Sequence, residues 1–453
     1  MFKKIEVWIL YLVIFAGIFI TILFGSLVKS ELVGNKKGWL SKSALFLAEI
    51  PGNIRELLNP ESPIFTDVRH KNLNRGFNVY AEPDLRGPKY LLLSRWDTDI
   101  NQAIVELIDI HRFKVLHRWN PDITNFLKGF DSNNQLLKEL KFKSPENLFE
   151  IFSPVLANEI LYFHGNRTPI LGLDAESNIV KVFDDYYHHS LELTKDNYLW
   201  TTNVSCPVNN QLIQEKECND HVRDENIIKL DLEGKVVYEK NITDLLYESN
   251  INVYRNNDNN VDITHVNDVQ PIHFSSKYWD DNDVFISLRS LDLALLYDTM
   301  ENKIQWTSSF LSGLKNQHDI NVLSEKEITI FNNNIKYSMK DGKRSRIVDE
   351  YSTMIVYNFE TNEYTSLLDK YFKEYEIKTA TSGKGEVSLN GDILIEETNY
   401  GRLIYLDSNG KKLWEFYNLG ENGLAGTVTW HNLITEDFEI KHIERFLKKG
   451  RNL

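Results

Sequence analysis

Apolar and polar positions alternate in short runs over most of this chain. From about Gly76 onward, β-branched and aromatic residues come in stretches separated by Asp, Asn and Gly turns, which is the pattern of all-β structure. One unit recurs: an apolar strand, an acidic or amide residue, a polar turn, and a second strand ending in an aromatic. It reads six times, from Asp109 to Trp119, Asp174 to Phe183, Asp231 to Tyr238, Asp298 to Trp306, Asn358 to Tyr364 and Asp407 to Trp414. The six anchor residues lie 65, 57, 67, 60 and 49 positions apart. Such a period suits a four-stranded blade with loops, so the expected fold is a six-bladed β-propeller over residues 76–453. The text Asp407-Ser-Asn-Gly-Lys411 is a hairpin turn joining two outer strands. A weaker repeat at 191–200, 322–330 and 387–395 predicts inner hairpins, and the residue just before each is expected to face a central channel.

The N-terminus breaks the alternation. Val7 to Val28 carries no charge over 22 residues and is bounded by Lys3, Lys4, Glu6 and Lys29. At ~1.5 Å per residue it spans a bilayer core and predicts a transmembrane helix, residues 1–28 forming a membrane anchor. A cleaved signal peptide is the rival reading, but the run is long for a signal core and no small-x-small site follows. Residues 29–75 form a juxtamembrane segment and linker, helical over 39–58 with Pro51 as a break. A second helical insertion is expected within 126–148.

Composition narrows the partners. The chain has 453 residues, 42% apolar and 12% aromatic, with a formal net charge of −14. Nucleic acid and anionic membrane faces are therefore excluded as electrostatic partners, and an anionic small molecule needs a local nest of cations. The two cysteines, Cys206 and Cys218, stand 12 apart in a polar loop and read as a local disulfide, hence an oxidising compartment, periplasmic or extracytoplasmic. No metal or cofactor is expected; Asn256 to Asn260 and Tyr278 to Asp283 lack calcium-loop spacing and read as solvated turns.

Histidines fall at the starts of the inner hairpins: His188 and His189, His265, and His318. Three units would thus aim imidazoles at one funnel. The corresponding text of the last hairpin, Gly383-Lys-Gly-Glu386, has none. His111, His117 and His431 read as structural or exposed groups in or beside outer strands, and Trp119, Trp306 and Trp414 as hairpin packing.

The segments Val115-Leu-His-Arg-Trp119, Thr264-His-Val-Asn-Asp268, Phe285-Ile-Ser-Leu-Arg-Ser290, Gln317-His-Asp319, Ile330-Phe-Asn-Asn333 and Leu389-Asn-Gly-Asp392 resemble, in this order, the aryl-sulfate-dependent arylsulfotransferases and their arylsulfotransferase-like relatives. The resemblance implies a six-bladed propeller, often exported, that moves a sulfuryl group from an aryl sulfate to a phenol or other small hydroxyl acceptor through a sulfated histidine. It implies His265, His318 and Arg346 as catalytic groups, with Arg344 the competitor for the arginine. His188, His189, Asn267 and Tyr187 are the expected substrate-binding groups. The match for the sulfated histidine is missing, because its blade carries Lys384 and Glu386. The alternative is therefore a non-catalytic binding or scaffold propeller that has lost its nucleophile.

Overall fold

The computed structural model describes residues 7–32, 39–41, 43, 44, 47, 64, 65, 74–82, 84–134, 137, 149–205, 224–251, 263–340, 343–388 and 390–450. Cys206 and Cys218, and with them the expected disulfide, lie outside the described residues, as do most of the juxtamembrane segment and most of 126–148. The chain divides into two compact units, Met1–Ser62 and Pro63–Leu453. In the first, the helix Val7–Leu32 is apolar on every side and is long and apolar enough to cross a membrane.

The second unit is all-β and propeller-like. Its sheets are antiparallel and mostly meanders in which consecutive strands pair; the hairpin of Ile335–Lys340 and Lys343–Val348 is inserted between two paired strands of one of them. Val266–Pro271, Val284–Leu288, Leu293–Asp298 and Lys303–Thr307 form one sheet of four, and Ile320–Ser324, Glu327–Asn332, Thr353–Asn358 and Glu363–Ser366 another. A seven-stranded sheet covers Phe152–Ala157 to Val236–Asn241. Its long strand Ile179–Leu193 pairs by its first part with Thr168–Leu173 and by its last part with Tyr198–Ser205. The two ends of the unit share sheets. Asn432–Ile434 pairs with Tyr90–Asp97, and Gly76–Val79 adds to the edge strand Lys412–Tyr417.

Burial follows the order of strands. Tyr90–Asp97 and Val284–Leu288 are buried along their whole length, whereas Val236–Asn241 and Glu363–Ser366 have no buried residue. Apolar clusters form between neighbouring sheets, as where Phe285 and Leu296 meet Ile320, Ile328 and Tyr357, so these sheets are stacked face to face. That is why the central strands read as continuous apolar runs.

All six anchor residues predicted from the repeat do the same work. The side-chain oxygens of Asp109, Asp174, Asp231, Asp298, Asn358 and Asp407 each accept two backbone N–H groups from the following turn, at 2.8–3.2 Å. The predicted inner hairpins also form. Their first strands are stitched laterally by side chain to backbone bonds: Val269 N–H to Ser190 Oγ (3.0 Å), Ile320 N–H to Asp268 Oδ2 (2.8 Å), Gly385 N–H to Asp319 Oδ2 (3.1 Å) and Leu433 N–H to Glu386 Oε2 (3.0 Å).

Candidate active site

Within or just ahead of the inner strands the backbone makes a left-handed kink on a residue that is not glycine. Ser153, His189, His265, Asn316, Ser382 and Trp430 all have φ between 46° and 63°. Such kinks are strained for residues with a Cβ and persist where the surroundings hold them, commonly at functional sites. Here they bring side chains together. The His189 ring lies 4.8 Å from His265, 4.9 Å from His188, 6.5 Å from His318 and 6.4 Å from Trp430, centroid to centroid.

His189 is the centre of this group. Its Nε2 is 3.2 Å from His265 Nε2 and its Nδ1 is 2.7 Å from His188 Nδ1. It is half-buried, while His188, His265 and His318 are buried. Burial, then the neighbouring charges of His265, His188, His318 and Arg289, hold its pKa well below the usual imidazole range. At neutral pH it is a neutral ring with a lone pair.

His318 is held from both sides. Its Nε2 accepts the Ser382 N–H (3.1 Å), so its Nδ1 carries the hydrogen and donates to Asn333 Oδ1 (2.6 Å). Ser382 is thus what the blade without a histidine contributes to the cluster.

A family model described as Arylsulfotransferase (ASST) matches residues 170–419, more than half of the chain and all four histidines. The chain belongs to the arylsulfotransferase family. No curated protein matches it. Solved structures similar to this arylsulfotransferase family member include a protein of unknown function from Bacteroides caccae, 8% identical, covering 76% of this chain and 98% of that one with a TM-score of 0.45. The Pan2 WD40 domain of Neurospora crassa is 10% identical over 80% and 97% of the two chains, with a TM-score of 0.40. The hydrazine synthase of Kuenenia stuttgartiensis is 11% identical over 73% and 80%, with a TM-score of 0.38.

Of the residues that the arylsulfotransferase resemblance points to, His188, His189, His265 and His318 meet, and Tyr187 and Asn267 do not. Tyr187 is buried in an apolar cluster with Val155, Tyr162 and Ile170. Asn267 is fully buried and donates to the Gln317 carbonyl (2.7 Å). The backbone of Arg346 pairs with that of Tyr337 in a two-stranded sheet, and the Arg346 side chain lies outside what the structure describes. Among the described side chains, the arginine whose charge reaches His189 is Arg289, at the end of the Phe285-Ile-Ser-Leu-Arg289 text. Its backbone N–H bonds the His265 carbonyl at 3.0 Å, which places it at the cluster. The repeat pattern carried that signal, since Arg289 closes the strand paired with the one His265 opens.

His431, read as an outer residue, is fully buried among inner groups. Its ring nitrogens lie 2.8 Å from Glu386 and 2.8 Å from Glu396, and Lys384 Nζ pairs with Glu386 at 2.8 Å. Burial works against its charge, but Glu386 and Glu396 outweigh it and raise its pKa to about 9. Lys384 and Glu386 therefore serve this ion cluster rather than the histidine group. Glu192, Lys384, Glu386, Asn432 and Glu439 also line a cavity of about 240 Å³.

Proposed function

We propose that this arylsulfotransferase family member is a membrane-anchored sulfuryl-transfer enzyme that carries sulfate from an aryl sulfate to a phenolic or other small hydroxyl acceptor, with His189 as the group that becomes sulfated. The observation that carries this reading is the meeting of a neutral, half-buried His189 with His265, His318 and Arg289. A sulfuryl group in transfer bears negative charge on its oxygens, and negative charge builds on the leaving phenolate. Fixed donors and a guanidinium around the sulfur therefore lower the barrier, in a chain whose net charge of −14 otherwise repels an anionic donor. His189 Nε2 attacks sulfur, and His265, 3.2 Å from that atom, faces the same oxygens. His189, from a different blade than the one of Lys384 and Glu386, supplies a further imidazole to the group, which favours this reading over a binding propeller without a nucleophile.

The same reading takes the body as six blades. The seven-stranded sheet supplies two, divided within Ile179–Leu193, and the other four large sheets supply one each. The helix Val7–Leu32 anchors it, with the propeller on the periplasmic or extracytoplasmic side.

The test is transfer from 4-nitrophenyl sulfate to phenol by the full chain in detergent. Nitrophenolate release is expected, and His189→Ala and His265→Ala are each expected to lower it by about 10² or more. A cooperatively melting wild-type protein that releases none sinks the enzyme reading. Retained release in His189→Ala shows that the nucleophile is another group.

A further inference from the structure

Behind His189 stands a buried carboxylate that neither the repeat nor the family match singles out. Glu225, on Asp224–Asp231, is 2% exposed. Its Oε2 accepts the Thr264 hydroxyl (2.7 Å) and the Val266 N–H (2.8 Å), so it clasps the chain on both sides of the His265 kink. Its Oε1 lies 3.4 Å from His188 Nε2. The other ring nitrogen of His188 is the one 2.7 Å from His189 Nδ1.

These contacts fix the hydrogens. A carboxylate facing His188 Nε2 requires a hydrogen there, so His188 Nδ1 presents a lone pair. The Thr202 hydroxyl, 3.2 Å from that nitrogen, gives its hydrogen to the His188 carbonyl at 2.8 Å. His189 must then carry its hydrogen on Nδ1 and its lone pair on Nε2, the atom nearest His265.

We propose that Glu225 and His188 form a positioning relay that fixes this tautomer of His189 and takes up its Nδ1 proton when Nε2 is sulfated. The inference rests on the function proposed above. In the first half-reaction the Nε2–S bond forms and the S–O bond to the aryl group breaks. The phenolate leaves with the electron pair and is protonated by water. The ring of His189, now cationic, passes its Nδ1 proton to His188 Nδ1, and the His188 imidazolium is held by Glu225. The ring of the sulfated His189, deprotonated at Nδ1, is a poor leaving group from sulfur, so the anionic intermediate persists until an acceptor arrives. In the second half the acceptor oxygen attacks sulfur and its proton goes to water. His188 returns the Nδ1 proton, and the S–Nε2 bond breaks with its electron pair returning to Nε2.

The experiment is stopped-flow mixing of the full-length protein in detergent with 4-nitrophenyl sulfate, first without and then with phenol, across pH 5 to 9. Glu225→Gln keeps an oxygen for Thr264 and Val266 but cannot hold a His188 cation. It is expected to slow the nitrophenolate burst about 10²-fold and to shift the pH profile of the burst, with KM little changed. His188→Gln is expected to do the same, and Glu225→Asp to recover part of the rate. Should Glu225→Gln fail to melt cooperatively, Glu225→Asp and His188→Gln carry the test. Wild-type burst rates and pH profiles in these variants overturn the relay while leaving the sulfotransferase reading intact. Absence of any release by the wild type, or an undiminished burst in His189→Ala, overturns that reading and the relay with it.

Discussion

His318 shows how little freedom a residue of this site has. With Ser382 N–H on Nε2 and Asn333 on Nδ1, the ring can neither rotate nor take a second proton without breaking a bond. Asn333 in turn donates to the carbonyls of Thr379 (3.0 Å) and Ser382 (2.7 Å) and is fully buried, so one side chain holds the ring and the kink that faces it. Asn333→Ala is therefore expected to cost about 1–3 kcal/mol in urea unfolding, because it leaves buried partners unsatisfied, and to lower transfer activity by displacing His318. Unchanged stability would mean that water replaces the amide. At this scale the sequence was legible for residue type and less so for role. The four histidines could be found because each precedes an apolar strand. That His189 rather than His318 is the central ring depends on kinks at 189, 265, 382 and 430, and a left-handed φ on His or Trp leaves no periodic trace. Arg289 was not singled out, because the resemblance pointed to Arg346, with Arg344 as its competitor, after the Asn332-Asn333 turn.

At the scale of the element, the outer hairpins were the most legible part of the fold because their chemistry is local. An Asp or Asn at the end of a strand can cap its own turn without help from the rest of the chain, and six residues picked from sequence do so. The lateral stitches between inner strands were not legible, since Asp268 and Ile320 are partners only once two sheets lie side by side. The last outer hairpin combines both kinds of constraint. Gly410 sits in its turn with φ 83°, and a Cβ there would come within 2.0 Å of the Tyr371 ring on the helix Asp369–Glu374. Gly410→Ala must bear about 1–2 kcal/mol for the left-handed backbone and must also push the helix away. A melting temperature lowered by several degrees is expected, with a smaller change for Gly391→Ala, whose nearest contact is 3.2 Å from Ser408. An equal effect at both glycines would show that backbone conformation alone sets the cost.

For the whole molecule, buried ionisable groups set how stability responds to pH. Burial raises the Glu439 carboxyl to about 8 against the Asn432 amide, and raises Glu192 to about 7 against Lys384. Burial opposes the His431 charge, yet Glu386 and Glu396 raise that ring to about 9. In all three the folded protein binds its proton more tightly than the unfolded chain. Their stabilisation is complete below the unfolded values, ~4.3 for Glu and ~6.5 for His, and is lost as pH rises through the folded ones. His164 and His273, pushed by burial to about 4, act in the opposite sense: their contribution is lost as pH falls from ~6.5 through 4 and is complete above ~6.5. Between pH 6.5 and 9 the first group therefore decides the slope, and the growing negative charge of a chain already at −14 adds repulsion in the same direction. The melting temperature is expected to fall steadily across that window when followed by circular dichroism. His431→Gln is expected to flatten the fall most between pH 8 and 9, above the value of Glu439, where His431 is the group of the three that still holds its proton. A rising curve, or an unaltered slope in the variant, would mean that His431 is neutral between its two carboxylates and that the ion cluster is held by Lys384 instead.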